Sequence, residues 1–202
     1  MKTHNHCSSN SHLKLILACL ITASVITFTF KTSCAQEGKD KGTIKADTVI
    51  HWMTFTQAIE ANKNYPKKKI FIDLFTDWCG WGKKMDADTF SNPILAQYMN
   101  EHYYPVKFNA ERSDTVEFQG KQFVNPSPST VRSTHQLAYG LLNGKLSYPS
   151  YVFLDENFNM LTIVSGYYEV APFEPILHYF GDNQQNEMPY QQFEKTFKGN
   201  FK

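Results

Sequence analysis

The chain has 202 residues, of which 42% are hydrophobic and 19% are charged, and its formal net charge is +1. This length and composition fit one globular domain and exclude two large ones. Because 20 basic residues are balanced by 19 acidic ones, the charge gives no reason to expect a nucleic acid or an anionic membrane surface as a partner. The four cysteines have a spacing that fits neither a zinc site nor a small disulfide-stapled fold.

The first 35 residues have the plan of a secretory signal peptide. Lys2 and Lys14 precede an apolar run over 15–30, and small residues then lead to Ala35. The apolar run is shorter than the roughly 20 residues that cross a bilayer as a helix, so a permanent anchor is less favoured. We expect cleavage after Ala35 and a periplasmic or secreted protein with no integral membrane span. Lipid anchoring at Cys34 is a less favoured alternative.

Cleavage after Ala35 would leave Cys79 as the only cysteine of the mature chain. An unpaired thiol in an exported protein is either buried and inert or kept for chemistry. The residues that follow the cleavage site, 36–47, are polar and rich in glycine and lysine, which is typical of a flexible tether.

Helical and strand patterns alternate after the tether. Thr54 with Gln57 predicts a capped helix start, and the apolar run over 70–75 predicts a strand buried on both faces. Helical patterns follow over 80–88 and after Asn92. The remaining predicted elements are a strand over 104–108, a hairpin over 116–124, a helix over 135–142, strands over 149–154 and 160–165, and a helix over 172–180.

This order of elements predicts an α/β fold with a mixed central sheet flanked by helices. We expect the domain to cover 48–182, with 109–133 as an insertion or binding loop and 183–202 as a polar C-terminal tail. The lysine run over 67–69 is typical of a solvated turn.

Cys79 directly follows the predicted strand and opens the next helix. Unpaired backbone N–H groups and the positive end of the helix dipole favour a thiolate at such a position. A free cysteine is also often a small, inert core residue. Both interpretations of Cys79 are open from position alone.

The segment over 71–85 resembles the active-site segment of the thioredoxin superfamily, whose Trp-Cys-Gly core matches Trp78, Cys79 and Gly80. Tyr-Pro-Ser over 148–150 is similar to the family's cis-proline turn. The resemblance covers roughly 54–180 apart from the insertion, and the chain most resembles exported, single-domain thioredoxin-like proteins. It implies a thioredoxin-like fold.

The same resemblance implies functional residues. Asp73 matches the family's buried aspartate and Lys107 matches the lysine near it. Asp73 is expected either to assist proton transfer at the thiol or to form a structural pair with Lys107, because a carboxylate in an apolar strand needs a partner. Tyr148 and Pro149 are expected to shape a groove for an extended substrate, unless the turn is only architecture.

Two tryptophans and a glycine beside the cysteine are candidate substrate contacts: Trp78, Gly80 and Trp81. We expect Trp81 to be exposed and Trp78 to belong to the core. The histidines show no paired spacing typical of metal ligands, so we assign no metal, and we expect no cofactor.

The departure from the family lies at Gly82, where the motif Cys-x-x-Cys has its second cysteine. Without that resolving thiol, Cys79 could still attack a disulfide, but release would need an external thiol. We therefore expect monothiol thiol-disulfide exchange with protein or small-molecule thiols and disulfides, and a dimer linked through Cys79 is conceivable. The alternative is a redox-inactive binding or chaperone-like module.

Overall fold

The computed structural model describes residues 48–64 and 66–201. The predicted signal peptide, 1–35, and tether, 36–47, lie outside these residues. Within the described ranges, no helix combines the length and the hydropathy that crossing a bilayer requires.

The elements follow the predicted order closely. They are α1 (Phe55–Lys63), β1 (Lys69–Phe75), α2 (Gly80–Asp88), α3 (Pro93–His102), β2 (Tyr103–Asn109), β3 (Val116–Phe118), β4 (Lys121–Phe123), α4 (Gln136–Leu141), β5 (Ser150–Leu154), β6 (Met160–Ser165), α5 (Val170–Gly181), a short 3₁₀ helix (Gln184–Asn186) and α6 (Tyr190–Thr196).

Local signals set the helix starts. The Thr54 hydroxyl accepts from the backbone N–H of Gln57, whose side chain accepts from the backbone N–H of Thr54, so the predicted capping box of α1 is confirmed. Asn92 caps α3 through its side-chain oxygen, and Pro93 takes the first helical position, where no N–H is needed.

Four strands form a mixed central sheet in the order β2-β1-β5-β6. Strand β1 is parallel to β2 and antiparallel to β5, and β5 is antiparallel to β6. Asp73, on the central strand, lies opposite Lys107 of β2 and Tyr151 of β5. The register therefore places three polar side chains in one row.

Side chains alternate between the two faces of the sheet and build a hydrophobic core on each. One core joins Ile70, Ile72 and Leu74 to buried residues of α1 and α4. The other joins Phe71 to buried residues of α2, α3 and α5. These layers confirm the predicted thioredoxin-like α/β fold, with helices on both faces of a mixed sheet.

The insertion contains the predicted hairpin, in which β3 pairs with β4. Gln119 and Gly120 form its turn with φ values of 50° and 73°, the left-handed pair that a tight hairpin needs. Val116 is buried in the core that also holds α1, so the insertion is packed onto the domain.

Two predictions about chain ends and turns were wrong. The C-terminal stretch, expected to be a polar tail, instead forms α6, because Tyr190, Phe193 and Phe197 recur at helical spacing. Phe193 is buried, and its ring lies 5.4 Å from that of Tyr179. Lys69 is not in a solvated turn: it begins β1, is 2% exposed, and pairs with Glu156 at 2.7 Å.

Phe71→Ala tests the core beneath the site. Phe71 is fully buried and its ring contacts those of several aromatic neighbours, so we expect the substitution to lower the free energy of unfolding by about 3–5 kcal/mol. Chemical denaturation measures the change. Val131→Ala, at a position that is 86% exposed, is the control and should change stability by less than about 0.5 kcal/mol. Equal effects of both substitutions would contradict the packing described.

Candidate functional site

Cys79 is the N-cap residue of α2, the position that the sequence predicts. Its backbone N–H donates to the carbonyl oxygen of Thr76 at 3.1 Å. Its thiol donates to the carbonyl oxygen of Tyr148, with Sγ at 3.3 Å from that oxygen. The residue is only 6% exposed, and it is the only cysteine among the described residues. The sulfur thus lies at a helix N-terminus and against the turn before β5.

Gly82 faces this sulfur from the first turn of α2. A Cβ atom added to Gly82 would lie 3.9 Å from the Cβ of Cys79 and 4.0 Å from the Cβ of Pro149. Disulfides have Cβ to Cβ distances of about 3.5–4.5 Å. Position 82 therefore occupies the place from which a second thiol could bridge to Cys79.

The Tyr148-Pro149 peptide bond is cis, as the resemblance implies. Both residues line an open groove of about 350 Å³, together with Trp81, Gly166 and Tyr167. The groove lies beside the contact between the Cys79 thiol and Tyr148. The structure therefore brings Trp81, Tyr148 and Pro149 together at one surface.

Sequence analysis missed Gly166 and Tyr167. Ser150 lies opposite Ser165 in the antiparallel pair of β5 and β6, so the residues after β6 reach the same end of the sheet as Pro149. Gly166 has φ 103°, which favours glycine, and its N–H donates to the Pro149 carbonyl oxygen at 2.9 Å. A glycine directly after the last strand was the signal available.

The two tryptophans are both exposed. Trp81 is 59% exposed, which confirms the prediction, and its ring lies 5.5 Å from that of Tyr167. Trp78 is 51% exposed, so its assignment to the core was wrong. The reason is that the insertion holds Trp78 at the surface: its indole N–H donates to Glu111 at 2.9 Å, and the Arg132 guanidinium lies 4.8 Å from its ring centre.

Glu111 and Arg132 are thus site residues that sequence analysis did not name. Only the tertiary fold brings them to Trp78, because they lie 33 and 54 positions further along the chain. Gly80, by contrast, has no neighbour within 4 Å of an added Cβ. Gly80 begins α2 and is not among the residues that line the groove.

Asp73 is buried behind the site, 2% exposed, and the predicted pair with Lys107 is present at 2.7 Å. That contact uses Oδ2, whereas Oδ1 has no hydrogen-bond partner among the described residues. Burial raises the pKa of Asp73 to about 6, since lost hydration outweighs the attraction of Lys107. The carboxyl group can therefore change its protonation state close to neutral pH.

Tyr151 is a further polar group in this row that sequence analysis missed. Its hydroxyl is buried and has no hydrogen-bond partner in the described part of the chain. Burial raises the pKa of Tyr151, and the charges of Asp73, Asp86 and Cys79 raise it further. The hydroxyl thus lies within electrostatic range of both the buried carboxyl and the thiol.

Over residues 48–64 and 66–201, the structure has no group of three or more His, Cys, Asp or Glu side chains placed to hold a metal ion.

Asp73→Asn tests the burial of this carboxyl group. The pKa of about 6 lies above the ordinary 3.8, so the folded protein holds a proton that the unfolded chain releases between these values. Stability should therefore fall as pH rises from about 4 to about 6, and Asn should remove that fall. Relative to wild type, we expect the free energy of unfolding of the variant to rise by on the order of 2–3 kcal/mol from about pH 4 to about pH 8.

Denaturation at both pH values measures this difference. Glu117→Gln, which removes an exposed carboxylate, is the matched control and should show no such gain. A gain that is the same at both pH values for Asp73→Asn would contradict a raised pKa.

Three solved structures are among those to which this chain is similar. A solved structure described as DsbH Oxidoreductase is 18% identical, with 68% of this chain and 88% of that chain covered and a TM-score of 0.47. A thioredoxin-fold protein from Helicobacter pylori is 15% identical, with 64% and 83% covered and a TM-score of 0.49. A putative disulphide-isomerase from Bacteroides thetaiotaomicron is 19% identical, with 68% and 95% covered and a TM-score of 0.45. No curated protein matches the chain.

A family model gives the assignment. The family described as Thioredox_DsbH, Protein of unknown function, DUF255, matches residues 43–168, more than half of the chain. This stretch includes Cys79, Asp73 and the Tyr148-Pro149 turn. The chain therefore belongs to the Thioredox_DsbH (DUF255) family of thioredoxin-fold proteins.

Proposed function

We propose that this protein carries out monothiol thiol-disulfide exchange through Cys79, after export and removal of residues 1–35. The observation that carries the proposal is the position of Sγ, at the N-terminus of α2 and 3.3 Å from the carbonyl oxygen of Tyr148, beside an open groove. The charged n-region, the apolar run and Ala35 support export to the periplasm or the outside.

The reaction has two balanced steps. In the first, the Cys79 thiolate attacks one sulfur of a partner disulfide; a new S–S bond forms, the old one breaks, and the partner's other sulfur leaves as a thiolate. In the second, an external thiolate attacks the mixed disulfide and releases Cys79. The net change exchanges one disulfide for another, so no further oxidant or reductant is consumed.

Gly82 explains why the second step needs an external thiol. The position faces Cys79 at disulfide distance but has no side chain. Position 82 therefore offers no thiol to displace the mixed disulfide, which persists until a thiol arrives from solution.

Asp73 is the proton acceptor in this proposal. It lies behind the site, has one oxygen with no hydrogen-bond partner within 48–64 and 66–201, and has a pKa of about 6. A carboxyl group with these properties can take up the proton as the thiol ionises and return it to a leaving thiolate.

The exposed aromatic rings provide the docking surface. Trp81, Pro149 and Tyr167 line the groove, and the exposed ring of Trp78 lies 6.3 Å from that of Tyr148. An extended segment of a partner protein, or a small disulfide, can bury these rings as its sulfur approaches Cys79.

A trapping experiment tests the reaction. The full chain is incubated with oxidised glutathione and with a disulfide-bonded peptide, and adducts are mapped by mass spectrometry. We expect an adduct on Cys79 that persists until excess thiol is added, because position 82 has no thiol to release it. Cys79→Ser is the control, since Cys7, Cys19 and Cys34 also carry thiols. Absence of any adduct at Cys79 under conditions that modify the other three would contradict the proposal.

Gly82→Cys tests the geometry at the motif. Since the two Cβ atoms would lie 3.9 Å apart, we expect mild oxidation to link the introduced thiol to Cys79 and the mixed disulfide to stop accumulating. Peptide mapping identifies the bridge. Gly140→Cys is the control, because an added Cβ there meets no atom within 4 Å. A Gly82→Cys variant that never bridges to Cys79 would show that position 82 does not face the thiol.

A second candidate function is favoured by one observation. Cys79 is only 6% exposed, and its S–H donates to Tyr148, an interaction that the thiolate cannot make. A redox-inactive binding or chaperone-like module would keep the groove and the exposed rings without using the thiol. In that case Cys79→Ser would bind extended polypeptides as wild type does, whereas Trp81→Ala would not. The same burial argues against a dimer linked through Cys79.

A further inference from the structure

Lys107 contacts two carboxylates at once. Its Nζ lies 2.7 Å from Oδ2 of Asp73 and also pairs with Oδ1 of Asp86. Asp73 is buried in the sheet, whereas the side chain of Asp86, on α2, is 46% exposed. One ammonium group therefore joins a buried carboxyl to a carboxylate at the surface.

Aromatic rings fix the ammonium in this shared position. The Lys107 Nζ lies 5.0 Å from the ring centre of Trp52, 5.1 Å from that of Phe75 and 5.5 Å from that of Phe90. Such contacts hold a cation without supplying a negative charge. The position of the ammonium between the two carboxylates is therefore set by packing as well as by attraction.

This cluster opens to solvent away from the groove at Pro149. Asp86 and Lys107 line a surface opening with Trp52, Phe90 and the chain at 49–50, and none of its lining residues lines the groove at Trp81. Solvent thus reaches Asp86 and Lys107 on a surface that a bound substrate would leave open.

We propose that Asp86 is a positioning residue that draws the Lys107 ammonium away from full pairing with Asp73 and so keeps the buried carboxyl able to hold a proton. The inference rests on the proposed function, because it concerns the proton acceptor of the same site. Asp86 touches neither the thiol nor the groove, and it acts only through Lys107.

The charges around Asp73 support this role. The titratable groups that interact with Asp73 are Lys107 from β2, Asp86 from α2 and Tyr151 from β5. Tyr151 in turn interacts with Cys79, the N-cap residue of α2. Lys107 is the cation among them, and Asp86 competes for it. The negative charge of Asp86 also repels ionised Asp73 directly. Removing the Asp86 carboxylate would therefore favour the ionised form of Asp73 in two ways: the Lys107 ammonium would pair with Asp73 alone, and the repulsion between the two carboxylates would end.

The test follows the titration of Asp73 in the full chain, by carboxyl ¹³C chemical shift or by infrared absorption, with Asp73→Asn to assign the signal. In Asp86→Asn we expect the midpoint of Asp73 to fall by about one pH unit relative to wild type. Asp86→Glu, which keeps a carboxylate within reach of Lys107, should restore most of that midpoint.

Asp88→Asn is the matched control. It removes the same charge from the same helix, but Asp88 pairs with Lys84 rather than Lys107. We expect the Asp73 midpoint in this variant to equal that of wild type. An unchanged midpoint in Asp86→Asn, or an equal fall in both variants, would overturn the proposal.

A second measurement separates this inference from the proposed function. The rate of Cys79 alkylation is measured against pH in wild type and in Asp86→Asn. If the profile shifts together with the Asp73 midpoint, both proposals are supported. If the midpoint moves while the Cys79 profile stays unchanged, Asp86 positions Lys107 as proposed but Asp73 is not the proton acceptor of the thiol.

Discussion

The contact between the Cys79 thiol and the Tyr148 carbonyl oxygen joins the two halves of the site. It exists because β1 is antiparallel to β5, so that the end of β1 and the start of β5 meet at one end of the sheet. The chain leaves β1 toward α2 at the place where it enters β5 through the cis turn. Strand β6, antiparallel to β5, ends at the same place and delivers Gly166 to the groove. Strand pairing in the centre of the domain thus determines what surrounds the sulfur.

The same strands carry a group that works against stability. Asp73 lies in a strand whose first six residues are all buried, and its lost hydration is only partly offset by Lys107. If the carboxyl group served only in a structural ion pair, hydrogen bonds to both of its oxygens would make the folded protein more stable. One oxygen instead remains without a partner among the described residues, and Asp86 takes a share of the cation. Such an arrangement is expected if the carboxyl group must gain and lose a proton. The lower stability that the buried carboxyl group causes is then explained by the proposed chemistry.

Much of the fold was predictable because its signals are local. The capping box at Thr54, the Asn92 cap, the continuous apolar run of β1 and the left-handed turn at Gly120 each depend on a few neighbouring residues. Trp78 was not predictable in this way, because its exposure depends on distant partners in the insertion. The burial of Lys69 likewise depends on Glu156, which lies 87 positions further along the chain.

The candidate site shows the same division. Cys79, Trp81 and Pro149 could be named from the motif and its spacing, and the structure places all three at one end of the sheet. Tyr151 and Asp86 could not, because only the register of β1 with β5 and the packing of α2 bring them toward Asp73. Helix α6 was not predicted, because its few apolar residues, Tyr190 and Phe193, stand among polar residues that obscure their helical spacing.

The proposed exchange requires the thiol of Cys79 to be reactive in the folded protein although the residue is almost buried. The most direct measurement is the rate at which the folded chain reacts with 5,5′-dithiobis(2-nitrobenzoate) at neutral pH, compared with the unfolded chain and with Cys79→Ser. We expect one equivalent of thiol, absent from Cys79→Ser, to react in the folded protein at least as fast as in the unfolded chain. If that equivalent appears only after unfolding, Cys79 is an inert core residue and the exchange chemistry is contradicted.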